Sequence, residues 1–94
     1  MKLLMVIVEE SCKEQVEVIL GRAGVRGFTE IPGVAGIGAT GPRLGSAAFP
    51  KTSAVILTLL EDGEVTRVGD AIRAGCPASG RAHLITWTAE ALGG

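Results

Sequence analysis

The chain has no tyrosine, one histidine, two cysteines and three aromatic residues, Phe28, Phe49 and Trp87. Three aromatics are too few for a base-stacking nucleic-acid platform. A net charge of −1 and a pI near 5.8 supply no field that would steer it to nucleic acid or acidic lipid. Cys12 and Cys76 lie 64 positions apart, and two cysteines make neither a disulfide framework nor a zinc site, so they are expected as buried, unreactive thiols. One histidine supplies no metal site alone. No apolar run approaches the roughly 18–20 residues of a membrane helix. The opening KLLMVIV of residues 2–8 is followed at once by Glu9 and Glu10 and lacks a small-residue cleavage site. It is expected to be a strand rather than a signal peptide, in a cytoplasmic protein without membrane insertion. Nor is there a catalytic constellation. Ser46 has no identifiable base, His83 no neighbouring nucleophile, and no carboxylate pair stands out, so the chain is expected not to be an enzyme.

What is present is aliphatic. Apolar residues make up 47% of the 94 positions and charged ones 20%, which describes one globular domain over residues 1–94. Residues 2–8 carry apolar side chains at both parities, as a strand buried on both faces does. Ser11 with Glu14 fits a capping box, and Glu9, Glu10 and Glu14 read as an acidic cluster favoured at a helix start. Cys12, Val16, Ile19, Leu20 and Ala23 then mark one helix face, which Gly24 ends. Residues 26–34 read as a weaker strand. Pro32 makes it an edge strand or a bulged one. Residues 52–60, TSAVILTLL, are a second strand apolar on both faces. Asp62 is placed as an N-cap for a helix with Val65, Val68, Ala71 and Ile72 inward, ended by Gly75 and Pro77. Residues 81–88 read as a last strand, and 89–92 as a helical turn.

Strand–helix–strand–strand–helix–strand is the order of an α+β, ferredoxin-like split βαβ fold: an antiparallel four-stranded sheet with two helices on one face. The two most apolar strands, first and third, belong at its centre, and Pro32 at an edge. Both central strands are also apolar on the face away from the helices. Leaving some six aliphatic side chains there in water would forgo on the order of 8–10 kcal/mol of burial. A homo-oligomer with facing sheets is therefore expected.

Between the second and third strands lies GVAGIGATGPRLGSAAFPK, residues 33–51. It holds five of fourteen glycines and two of four prolines, so most of it is neither helix nor regular strand. Gly36, Gly38 and Gly41 match G-x-G-x-x-G but open no helix, and no G-K-[ST] follows, which excludes Rossmann and Walker readings. Thr40, Gly41, Arg43, Gly45 and Ser46 offer backbone N–H groups, hydroxyls and a guanidinium for an anion. Lys51 adds a second cation. The alternative is a structural loop packed on a neighbouring subunit.

The opening MKLLMVIVEE, the A-G-V-R-G-F-T phrase at 23–29, the segment TGPRLGSAAFP at 40–50 and D-G-E-V-T-R-V-G-D-A-I at 62–72 resemble those of PII-like proteins. These are small trimeric signal proteins. The resemblance covers most of the chain and implies a regulatory homotrimer of an atypical, shortened branch. A small anionic ligand, an adenine nucleotide among the candidates, would bind at subunit clefts. By position, residues 35–51 would be the T-loop, which in that family contacts partner proteins and changes shape with ligand. Residues 76–81 would be the phosphate-binding B-loop, of which Gly80 and Arg81 keep the Gly-plus-cation chemistry. The nucleotidylylated T-loop tyrosine of some PII proteins has no counterpart, and the residues after the last strand are too few for a full C-loop. No specific cofactor is implied. The same fold also occurs in the CutA cation-tolerance family, where His83, Cys12 or Cys76 would have to reach a metal at an interface. A ligand-free adaptor using the loop as a docking arm is a third reading.

Overall fold

Aliphatic alternation builds the centre of the sheet. The computed structural model describes residues 1–38, 41–76 and 82–93. Strand β1 (Lys2–Glu9) pairs antiparallel with β5 (Ser53–Leu60) on one side and β6 (His83–Thr88) on the other. Strand β2 (Thr29–Val34) pairs with the outer side of β5, giving the spatial order β2-β5-β1-β6. Helices α1 (Lys13–Ala23) and α2 (Val65–Gly75) both pack on one face. This is the ferredoxin-like arrangement, with the two most apolar strands central. Leu4, Val6 and Val8 of β1 and Ala54, Ile56 and Leu60 of β5 point toward the helices, where they meet Val16, Leu20, Val68 and Ile72 in one buried cluster. Pro32 falls where the β2–β5 register shifts, between Ile31 and Val34, and Gly33 takes φ +66° there. The ladder breaks where the N–H is missing, and glycine supplies the left-handed backbone the bulge needs.

Several local expectations fail for identifiable reasons. Glu10–Cys12 forms a 3-10 turn ahead of α1, so Ser11 is inside the turn and no side chain caps the helix. Asp62 likewise opens a 3-10 turn, and its carboxylate takes the Met1 ammonium at 2.9 Å instead of a helix N–H. On α2 the buried small residue is Gly69, not Ala71. A Cβ at Gly69 would lie 3.6 Å from Leu84 Cδ1, which brings the helix close over β6. Residues 89–92 form no helical turn. Gly24 does end α1, at φ +75°. Pro77 lies outside the described residues.

The cysteines are buried but not free. Cys12, at the start of α1, and Cys76, capping the end of α2, are joined as a disulfide with their Cα atoms 6.2 Å apart. Sequence separation concealed this pair. The fold returns the end of α2 to the start of α1, so positions 64 apart in the chain become neighbours.

Candidate site at the root of the glycine-rich loop

The loop leaves the sheet at the end of β2 and returns at the start of β5. These ends are adjacent because β2 and β5 pair, with Val34 opposite Ser53. Strand β1 ends beside them, Glu9 lying opposite Ser53. Two consecutive carboxylates therefore point into the loop root. Glu10 Oε2 accepts from the Gly33 N–H at 3.0 Å and the Thr52 hydroxyl at 3.3 Å, and the Glu10 N–H donates to the Thr52 carbonyl at 3.0 Å. Glu9 Oε1 lies 3.5 Å from Lys51 Nζ, and Glu9 Oε2 lies 3.6 Å from Arg43 Nη2. Only 11% of the Glu9 side chain and 14% of Arg43 remain exposed, against 68% of Lys51. A carboxylate this buried is tolerable because two cations face it. Glu9 and Glu10 are thus loop anchors. The expected helix-start cluster holds in position, since Glu10 opens the 3-10 turn ahead of α1 and Glu14 lies in the first turn of α1, but the Glu9 and Glu10 carboxylates are engaged by the loop.

Part of the loop is regular. Residues Gly36–Gly38 (β3) and Gly41–Arg43 (β4) form a two-stranded ribbon, with Gly36 opposite Arg43 and Gly38 opposite Gly41. The ribbon carries Arg43 back to the root. Beyond it the chain closes on itself. Leu44 and Ser46 N–H groups donate to the Phe49 carbonyl, Gly45 N–H to the Lys51 carbonyl, and Phe49 N–H to Ser46 Oγ. Gly45 sits at φ +63°, and a Cβ there would come 3.0 Å from Thr52 Cγ2. In this conformation the Gly45 and Ser46 amides serve loop closure, so the groups at hand for an anion are the Arg43 and Lys51 cations. Thr40, Gly80 and Arg81 lie outside the described residues.

A second feature was missed by sequence reasoning. A cavity of about 870 Å³ opens at the opposite end of the central strands, between the 24–29 passage after α1 and the end of β5. Gly27, Phe28, Thr29, Leu59, Glu61 and Glu64 are among its walls. The buried Thr58 hydroxyl donates to the Gly27 carbonyl at 2.7 Å and fixes this passage. The A-G-V-R-G-F-T phrase carried the signal, but Gly24 read as the end of a helix and Gly27 as part of the strand over 26–34.

The open sheet face is apolar, as expected. Leu3, Met5 and Ile7 of β1, Val55, Leu57 and Leu59 of β5 and Ile85 and Trp87 of β6 share it with His83, and Ile85 remains 48% exposed. Cys12 and Cys76, being bonded to each other, offer no thiolate to a metal. Among the described residues no group of three or more His, Cys, Asp or Glu is placed to hold one. No helix among the described residues is long and apolar enough to cross a membrane.

Beside the root, Glu30 of β2 shares a hydrogen bond with Glu17 of α1, with Lys13 Nζ 3.8 Å away. That shared bond, then burial and the Glu17 charge, raise the Glu30 carboxyl above the usual carboxylate range, against the lowering pull of Lys13. The folded state therefore holds this proton more tightly than the unfolded chain. The resulting stability is full below the unfolded-state pKa and is lost as pH rises through the folded one. Replacing Glu30 by Gln removes that loss. The variant is expected to be more stable than wild type near neutral pH, with no gain under acid conditions. Thermal melts across pH 4–8 check this, and a gain of equal size at both ends would exclude the shared proton as its cause.

The family model described as Nitrogen regulatory protein P-II matches residues 1–86. The chain belongs to the P-II family. P-II proteins are regulatory signal proteins rather than enzymes. No curated protein matches this P-II chain. Among solved structures it is similar to CPII, a nitrogen regulatory PII-like protein from Thiomonas intermedia K12. The form of CPII bound to ADP and bicarbonate superposes with TM-score 0.72 at 25% identity, over 92% of this chain and 84% of that one. A form bound to ADP, AMP and bicarbonate gives TM-score 0.70 at 24% identity, with the same coverage.

Proposed function

We propose that this P-II protein is a cytoplasmic, ligand-responsive regulator in which a small anion bound between copies of the chain resets the glycine-rich loop, residues 35–51, for a protein partner. The observation that carries the reading is the loop root, where Glu9 and Glu10 gather the loop's exit, its return and its two cations into one place. A change in what Arg43 and Lys51 bind changes the loop. The ligand classes that fit are an adenine nucleotide and bicarbonate, since CPII is described bound to ADP, AMP and bicarbonate. The 870 Å³ cavity is within the range of small-molecule pockets. It lies at the far end of the sheet from the cations, so a site using both draws on two chains. A cyclic homotrimer, built on the apolar open face, juxtaposes one chain's cavity with the next chain's loop root.

Calorimetry against ADP, AMP and bicarbonate tests this. Arg43→Ala is expected to weaken oxyanion binding by roughly tenfold or more, since hydrogen bonds to charged groups contribute about 1.5–3 kcal/mol. Heat from none of the three ligands would remove the reading.

A further inference from the structure

The cations proposed for an external anion already hold an internal one. We propose that Glu9 is a built-in competitor for that anion: its carboxylate occupies the Arg43–Lys51 pair in the ligand-free protein and latches the loop arm closed, and an incoming oxyanion must displace it. The proposal rests on the oxyanion reading above and adds its regulation.

Three observations carry it. First, Glu9 faces both cations at once, one carboxylate oxygen toward each, at 3.5 and 3.6 Å. Both distances exceed those of tight charge-assisted hydrogen bonds, so a better-placed oxyanion can gain on them. Second, Lys51 is 68% exposed while it faces Glu9, so an oxyanion arriving from solvent reaches one of the two cations while the latch is still closed. A carboxylate presents two oxygens on one carbon, and bicarbonate presents the same fork. Third, the two acidic residues divide the work. Glu10 holds the root through the Gly33 N–H and the Thr52 hydroxyl, neither of them a cation. The loop ends therefore stay fixed when Glu9 lets go, and release is confined to the arm that runs from Arg43 to Lys51.

Glu10 also supplies the control. Glu9→Gln and Glu10→Gln each remove one negative charge from neighbouring positions, so a general electrostatic effect moves both alike. A latch moves only the first. If the latched form dominates by about ten to one, its removal tightens apparent binding by about tenfold. Titrations of wild type, Glu9→Gln and Glu10→Gln with bicarbonate and, separately, with ADP measure this. The expected result is tighter binding by Glu9→Gln than by Glu10→Gln, with faster amide exchange at residues 41–51 in the ligand-free Glu9→Gln protein. Glu9→Asp keeps the charge but withdraws it by one methylene, and is expected to lie between wild type and Glu9→Gln. It also serves if Glu9→Gln does not fold. Equal affinities in the two Gln variants, or weaker binding by Glu9→Gln, overturn the latch. If wild type binds neither probe, the oxyanion reading fails. The latch is then decided by exchange alone: unchanged protection at 41–51 in Glu9→Gln overturns it, and faster exchange confined to that arm supports it.

Discussion

Cys12→Ala is expected to cost about 4 kcal/mol of folding stability. The disulfide closes a loop across 64 positions, and the chain-entropy relation gives about that value for a loop of this length. Against a total of roughly 5–15 kcal/mol for a domain, the variant sits near the edge of folding. At roughly 4–8 °C per kcal/mol, its melting temperature falls by about 15–30 °C. Cys76→Ala and the double variant are expected to match it, because all three lose the same bond. A thiol reductant lowers the wild type toward the same value and leaves the double variant unchanged. Thermal melts of the four proteins, each with and without reductant, check this. A double variant clearly worse than either single one would mean that the cysteines act as separate packing residues. Reductant moving none of the proteins would mean that the bond is absent in solution.

The second large effect concerns the open sheet face. Ile85→Glu is expected to dissociate the proposed homotrimer. Ile85 lies beside Met5 on the open face formed by β1, β5 and β6, and it is 48% exposed in the single chain. Each copy loses on the order of 1–1.5 kcal/mol of isoleucine burial, since about half of the side chain is left to bury on assembly, and gains a carboxylate that must be desolvated. The helix-side core is untouched, so the chain still folds. Light scattering after size exclusion should give three times 9.6 kDa for wild type and 9.6 kDa for the variant. Oxyanion binding should fall with it if the site spans two chains. A wild type that runs as a monomer at micromolar concentration, or a variant that stays trimeric, would sink the proposed assembly.

The sheet was legible because its signals are local and repetitive. Apolar residues at both parities in 2–8 and 52–60 placed β1 and β5 at the centre, and Pro32 marked β2 as an edge or bulged strand. The inward face of α1 followed from the spacing of Cys12, Val16, Ile19, Leu20 and Ala23. What was not legible depends on distance in the chain. Nothing near Cys12 points to Cys76. Glu9 and Glu10 precede a helix, so a dipole argument claimed them, yet their partners are residues 33, 43, 51 and 52. Ala71 looked like the better core residue, but the close crossing of α2 over Leu84 puts Gly69 inside. In the loop, composition correctly barred helix. It also hid a ribbon, because Gly36–Gly38 and Gly41–Arg43 pair through backbone alone and need no strand-forming side chains.

The twin carboxylates at the end of β1 also bear on how freely the loop can diverge. Glu10 fastens Gly33 to Thr52, so the entry and exit of the loop are tied independently of what lies between them. A segment closed in this way is thermodynamically insulated from its scaffold. Doubling its length costs only about 0.6 kcal/mol in closure entropy, and none of that cost falls on the pairing of β2, β5 and β1. Insertions, deletions and exchanges within the loop are therefore cheap, while changes at positions 9, 10 and 52 are not. The fold can try new partner surfaces on a fixed clasp.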